Sequence, residues 1–95
     1  MARWKKPKKD EVLDNRRALA ERARNADLRL PGAVAEMRKS IGMTQEEFAK
    51  VVGLTRRQIA EIEAGTANST FRTIEKIGRL FGFSVGFIAN KSETT

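Results

Sequence analysis

The chain contains neither cysteine nor histidine. Thiolate nucleophiles, disulfides, zinc sites and the neutral-pH proton shuttle of an imidazole are therefore out of reach. Covalent chemistry would fall to carboxylates or lysines alone. The carboxylates form no catalytic pair, because Asp10, Glu11, Asp14, Glu21 and Asp27 alternate with arginines along one helical stretch. No enzymatic activity, metal or cofactor is expected. What remains is hydrogen-bonding chemistry, and it gathers between Thr44 and Gly65, in TQEEFAKVVGLTRRQIAEIEAG.

That stretch reads as two short helices hinged at Gly53. Thr44 and Glu47 make a capping box, in which the hydroxyl takes an orphan helix N–H and the carboxylate reaches back to the N–H of the cap. Phe48, Ala49 and Val52 follow at helical spacing, and Gly53 supplies the left-handed residue that stops the helix. Thr55 and Gln58 begin the second helix, with Ile59 and Ile62 inward and Arg56, Arg57, Gln58 and Glu61 pointing elsewhere; Gly65 ends it. Ala49 is small where the second helix must pass close, and Leu54 and Ile62 close the core beneath. Two helices crossing through a short glycine-containing turn form the helix-turn-helix arrangement, whose second helix enters the DNA major groove. A small helical hairpin of other purpose is the competing reading.

From about Pro31 to Phe87 the chain resembles the Cro and phage-repressor class of helix-turn-helix domains, the Xre family. The resemblance implies base contacts from Gln45, Thr55, Arg56, Arg57, Gln58 and Glu61. It also implies a structural ion pair, Arg38 with Glu63, joining the first helix of the domain to the end of the recognition helix. Phosphate contacts would come from Thr44 and from the loop after Gly65, through Thr66, Asn68 and Ser69. Many relatives have proline where Ser69 stands, so the loop is less firmly set than the helices.

With 95 residues the chain is one small domain carrying a formal charge of +7. The charge is unevenly spread: residues 1–9 hold five Lys or Arg and no acid, residues 10–30 five of each sign, and residues 31–95 nine basic against seven acidic. Such a surplus favours phosphate backbones through counterion release and makes binding fall steeply with salt. No apolar run suits a membrane span or a secretory signal, which points to the cytoplasm.

Residues 1–9, MARWKKPKK, are expected to form a disordered basic arm. The arm either follows phosphates or the minor groove, or is a solubilising tail; the lone indole of Trp4 tips the choice toward docking. Asp10 to about Asp27 reads as a helix with acids first and arginines later, as the helix dipole prefers. Its apolar stripe of Val12, Leu19, Ala23 and Ala26 is thin. Arg16, Arg17, Arg22 and Arg24 either face phosphates or form a solvated charged face, the latter being the plainer account. Leu28 to Pro31 connects to a helix over Pro31–Ile41, with Val34, Met37 and Ile41 inward and Gly42 as its stop; Met37 and Met43 are core fillers.

Thr70 caps a further helix whose apolar face is Phe71, Ile74, Ile77, Gly78 and Phe81, with Gly82 ending it. Residues 83–90 then change period. Phe83, Val85, Phe87 and Ala89 alternate with Ser84, Gly86 and Ile88, which is strand spacing. A lone strand needs a partner, and a second copy of the chain would supply one across a two-fold axis. Here the sequence looks like the HipB-type antitoxin branch, in which such a strand forms the dimer. An extended tail folded over its own core is the alternative. Residues 91–95 are a polar tail.

The expected protein is all-α: a five-helix bundle with a lambda-repressor-like domain over 31–82, preceded by a helix and connector over 10–30. A dimerisation strand over 83–90 completes it. It is expected to act as a sequence-specific transcriptional repressor and, by the resemblance, as the antitoxin and autoregulator of a toxin-antitoxin operon. Its expected partners are a near-palindromic duplex, a second copy of itself and, by the same resemblance, a toxin that is a HipA-like kinase or another protein. A stand-alone Xre-type regulator, or an adaptor docking protein or RNA on the same fold, shares the same motifs.

Overall fold

A computed structural model describes residues 6–90. Their elements are α1 (Lys9–Arg24), α2 (Gly32–Ser40), α3 (Gln45–Val52), α4 (Arg56–Ala64) and α5 (Phe71–Arg79). The expectations for Trp4 and for the polar tail 91–95 lie outside the described residues.

The last three helices each open on a threonine. Thr44 Oγ1 accepts the N–H of Glu47 at 3.1 Å, Thr55 Oγ1 that of Gln58 at 3.1 Å and Thr70 Oγ1 that of Thr73 at 3.2 Å. Glu47 and Gln58 return the bond to the N–H of Thr44 and Thr55, so both capping boxes close. Between α3 and α4, Gly53 takes φ 75°, and Leu54 N–H donates to the carbonyl of Ala49 at 2.8 Å. This left-handed stop satisfies the end of α3 and turns the chain within two residues of the next cap. The caps and the stop of the helix pair are thus all made between residues three to five positions apart.

Packing then locks it. Phe48 of α3, Ile59 of α4, Val34 of α2 and Ile77 of α5 are fully buried together, with Leu19, Met37, Ala49, Val52, Ile62 and Phe81 around them. Each helix contributes its apolar stripe, and only 2 % of Ala49 remains exposed where α3 meets α4. A longer side chain there would force the two helices apart.

Several expectations are corrected. The basic arm was expected to run to Lys9 as a disordered segment, yet residues 6–8 dock. The Pro7 ring covers Gly42 so closely that a Cβ on that glycine would lie 2.6 Å from Pro7 Cδ. Lys6 Nζ pairs with Glu47 at 3.1 Å, and α1 begins at Lys9 because the N–H of Lys8 donates to Glu11 at 2.7 Å. The far end of α1 stops at Arg24 instead of Asp27, through a left-handed turn at Ala26 (φ 58°) in which Asp27 N–H donates to the Arg22 carbonyl at 2.8 Å.

The thin stripe of α1 does not pack alone. Only Leu19 is fully buried in it. Polar groups complete the attachment: Asn15 Nδ2 donates to the carbonyl of Ser40 at 3.1 Å, Arg16 Nη2 to that of Leu80 at 3.2 Å, and the Arg16 guanidinium lies 5.1 Å from the Phe81 ring centre. Arg16 is thereby a packing residue, not a phosphate ligand. Arg22 pairs with Glu36 and Asp27, Arg24 with Glu21 and Arg17 with Asp14. In α5, Phe71 was expected on the inward face but is 62 % exposed. It sits in the first turn, beyond the edge of the core that Ile74 and Ile77 cover.

The expected strand over 83–90 is absent: no strand occurs among the described residues. Phe83 is drawn back onto its own subunit, its N–H donating to the Gly78 carbonyl at 2.9 Å and its ring stacking on Phe81 at 5.9 Å. Alternation survives for Phe83 and Val85, which are half-buried, and fails at Phe87, which is wholly exposed. A strand is defined by ladder bonds to a neighbour, and among the described residues no second strand provides them.

Candidate nucleic-acid interface

The outward face of α3 and α4 carries the side chains singled out for DNA. Thr55, Arg56, Arg57 and Gln58 crowd the N-terminus of α4 and are exposed, whereas Gln45 and Glu61 are half-buried. Ile59 and Ile62, one step around the helix, are buried. The spacing of core and surface residues on a 3.6-residue period therefore aims the polar set at solvent.

The polar set is internally organised. Gln58 gives its Oε1 to the N–H of Thr55 at 2.8 Å, which leaves the amide nitrogen as its donor to an outside partner. Arg57 Nε donates to Glu61 Oε2 at 3.1 Å, one turn on, so Glu61 is turned toward Arg57. The terminal nitrogens of the guanidinium remain a fork. Two parallel donors of this kind match the O6 and N7 acceptors of guanine. Arg56 has no ion pair among the described residues.

Gln45 lies elsewhere than a free base reader would. Its Nε2 donates to Glu63 Oε1 at 3.0 Å, inside a cluster centred on Arg38. Arg38 donates from Nε to Glu63 Oε2 at 2.7 Å, from Nη2 to Glu63 Oε1 at 3.1 Å and from Nη1 to the Met43 carbonyl at 2.9 Å. Both charged side chains are nearly buried, 11 % and 9 % exposed. Burial by itself would raise the Glu63 carboxyl, but hydrogen bonds from Arg38 and Gln45 and the charges of Arg38 and Lys39 outweigh it and hold it low. This bidentate pair ties α2 to the last turn of α4, and so fixes the recognition helix against the body of the domain.

The loop after α4 contributes exposed Thr66, Asn68 and Ser69. Gly65 (φ 77°) ends the helix, and the Glu61 carbonyl accepts from the N–H of Thr66 at 3.0 Å, from that of Ala67 at 3.2 Å and from Thr66 Oγ1 at 3.3 Å. Thr66 is thus committed to the helix end, and Asn68 and Ser69 are the freer groups. Two residues near the site were not placed there by any local spacing, although Lys6 belongs to the basic arm expected to follow phosphates. Lys76 of α5 reaches the turn, its ammonium 3.7 Å from where a Cβ on Gly53 would stand, and Lys6 sits at the start of α3. Neither could be found from periodicity, because each acts across a long stretch of chain.

Among the described residues no cluster of His, Cys, Asp and Glu could hold a metal ion, and no helix is long and apolar enough to cross a membrane.

Comparison with known proteins agrees with this geometry. A family model described as helix-turn-helix (HTH_3) matches residues 34–88. A protein of Archaeoglobus fulgidus named an uncharacterized HTH-type transcriptional regulator is 46 % identical over 48 residues, which are 50 % of this chain and 69 % of that protein. A second from the same organism, with the same name, is 38 % identical over 52 residues, 55 % of this chain and 73 % of its own. A third so named, from Methanothermobacter thermautotrophicus, is 39 % identical over 49 residues, 52 % and 71 % of the two chains. No solved structure matches. With a capped and glycine-stopped helix pair presenting arginine and glutamine outward, and a family match that spans α2 through the end of α5, the chain belongs to the helix-turn-helix family of DNA-binding domains.

Proposed function

We propose that the protein is a sequence-specific transcriptional repressor that binds a near-palindromic operator as a homodimer. One observation carries the reading: Thr55, Arg56, Arg57 and Gln58 stand exposed together at the N-terminus of a helix whose other face is fully buried. That is the end of the recognition helix which meets base edges in a major groove. Arg56 and Arg57 read guanine, Gln58 offers its amide nitrogen, and Thr44, Asn68 and Ser69 take phosphates. An adenine contact from Gln45 requires its bond to Glu63 to break, so Gln45 is assigned to positioning first. Glu61 orients Arg57.

Dimerisation is supported by exposed apolar residues on the C-terminal segment, Phe87 and Ile88, which a monomer would leave in water. Two copies would set their α4 helices in grooves about one helical turn apart. The expected dimer strand and the compact size favour an antitoxin that represses its own operon. A stand-alone regulator shares every motif above, and a toxin that co-purifies with the chain would separate the two. The deciding experiment selects duplexes from random sequence with the purified protein and maps the footprint. A symmetric pair of half-sites supports the repressor. Salt-sensitive binding without sequence preference would instead favour an adaptor or RNA-associated role for the same fold.

A further inference from the structure

The helix pair that must approach DNA is not itself attractive to a polyanion. Across residues 44–70 three basic side chains, Lys50, Arg56 and Arg57, stand against three acidic ones, Glu46, Glu47 and Glu61, while Glu63 is nearly buried against Arg38. A surface of that balance gains little from counterion release. The surplus of the chain lies instead in residues 1–9, with five Lys or Arg and no acid, ahead of the stretch matched by the family, which begins at residue 34.

The structure shows where one of these cations, Lys6, is delivered. Pro7 packs on Gly42 with no room for a Cβ between them, and Lys6 Nζ reaches both carboxylate oxygens of Glu47, at 3.2 and 3.1 Å. Glu47 is the third residue of α3, beside the cap at Thr44. In a helix-turn-helix the first helix of the pair crosses the DNA backbone. The anchor therefore brings Lys6 to the edge of the protein along which phosphates run. Lys6 and Glu47 are 61 % and 46 % exposed, and an ion pair as open as this holds with about 0–1 kcal/mol.

We propose that Lys6 is a DNA-binding residue outside the helix pair, and that it exchanges Glu47 for a backbone phosphate when the duplex docks. Glu47 keeps its bond from the Thr44 N–H, at 2.9 Å, after the exchange, so α3 retains its cap. The inference rests on the DNA-binding reading and adds to it a source of the non-specific attraction.

The test is fluorescence anisotropy of a labelled duplex at a series of salt concentrations. It compares the full chain with Lys6→Gln, Lys6→Arg and Glu47→Gln, on a selected duplex and on a scrambled one. Each phosphate contact contributes about 0.9 to the slope of log K against log salt. Lys6→Gln should lower the slope by about one such contact on both duplexes, leaving the preference between them unchanged. Lys6→Arg should restore it. Glu47→Gln, which preserves a capping box, should keep the full slope and bind at least as tightly. A wild-type slope in Lys6→Gln overturns the proposal. So does an equal loss in Lys6→Gln and Glu47→Gln, which would make the pair purely structural. Wild-type protein that retains neither duplex at low salt would bring down the DNA-binding reading itself.

Discussion

At the scale of single residues, two acid–base pairs decide what the interface can do. Arg57 is held by Glu61 through Nε, which leaves its outer nitrogens for a base edge. Arg57→Ala should cost about 1–3 kcal/mol on the preferred duplex and relax the choice at one base pair of each half-site. Competition between matched and mismatched duplexes reads this directly, and an equal loss on random DNA would reassign the arginine to the backbone. Arg38 and Glu63 work inside the protein. Removing one partner of a nearly buried pair leaves the other uncompensated, so Glu63→Gln should destabilise the fold by about 3 kcal/mol at pH 7. The pair also sets the acid limb of stability. The folded Glu63 carboxyl lies below its ordinary value. Glu47 does too, held there by the Thr44 backbone N–H and by Lys6. Carboxyls lowered on folding contribute stability above the unfolded value, near about pH 4.3, and lose it as pH falls through the folded one. The thermal midpoint should be level from neutral pH to about 5 and drop below about 4, and Glu63→Gln should flatten that drop.

The helices themselves show how far local chemistry reaches. Thr44, Thr55 and Thr70 start three of them, and Gly53 and Gly65 stop two in the left-handed conformation, as their positions in the sequence announce. α1 is different. It stops at Arg24, and the turn beyond it places Ala26 at φ 58°, where a Cβ meets the neighbouring carbonyl at a cost of about 1–2 kcal/mol. Ala26→Gly should remove that strain and, after the added entropy of the unfolded glycine, raise stability by roughly 0.5 kcal/mol. Chemical denaturation with an unchanged m-value would register it; a loss of stability would mean the turn is held by packing that needs the methyl. The alternating charges of α1 concealed how it attaches. Arg16 stacking on Phe81 and Asn15 capping the end of α2 are contacts across 65 and 25 residues of chain respectively, with no periodic signature.

For the whole molecule, the proposed dimer requires a surface on which two copies meet. The C-terminal segment flanks an apolar cavity of about 380 Å³, lined also by Ala23, Leu28, Ala33 and Met37. Phe87 beside it is fully exposed. An aromatic side chain next to apolar surface of its own chain is suited to burial in a self-complementary contact. Phe87→Asp should shift the protein from dimer to monomer in sedimentation equilibrium while its helical circular dichroism stays constant. DNA binding should weaken with it, because each half-site would then be engaged alone. A wild-type protein that sediments as a monomer at micromolar concentration would remove dimerisation from the account.

The residues of the chain determined by themselves the helix-turn-helix pair, its caps and its outward arginines, because these depend on neighbours three or four positions away. They also determined where the positive charge resides. Tertiary structure alone decided that Lys6 docks on Glu47 of α3 and Pro7 on Gly42 beyond the end of α2. It decided equally that Gln45 is bonded to Glu63 and that Phe83 folds back onto Gly78 in place of a strand. These are contacts between distant parts of the chain or departures from a short apolar alternation. Periodicity cannot tell whether an alternating segment will find a partner strand or a surface of its own subunit.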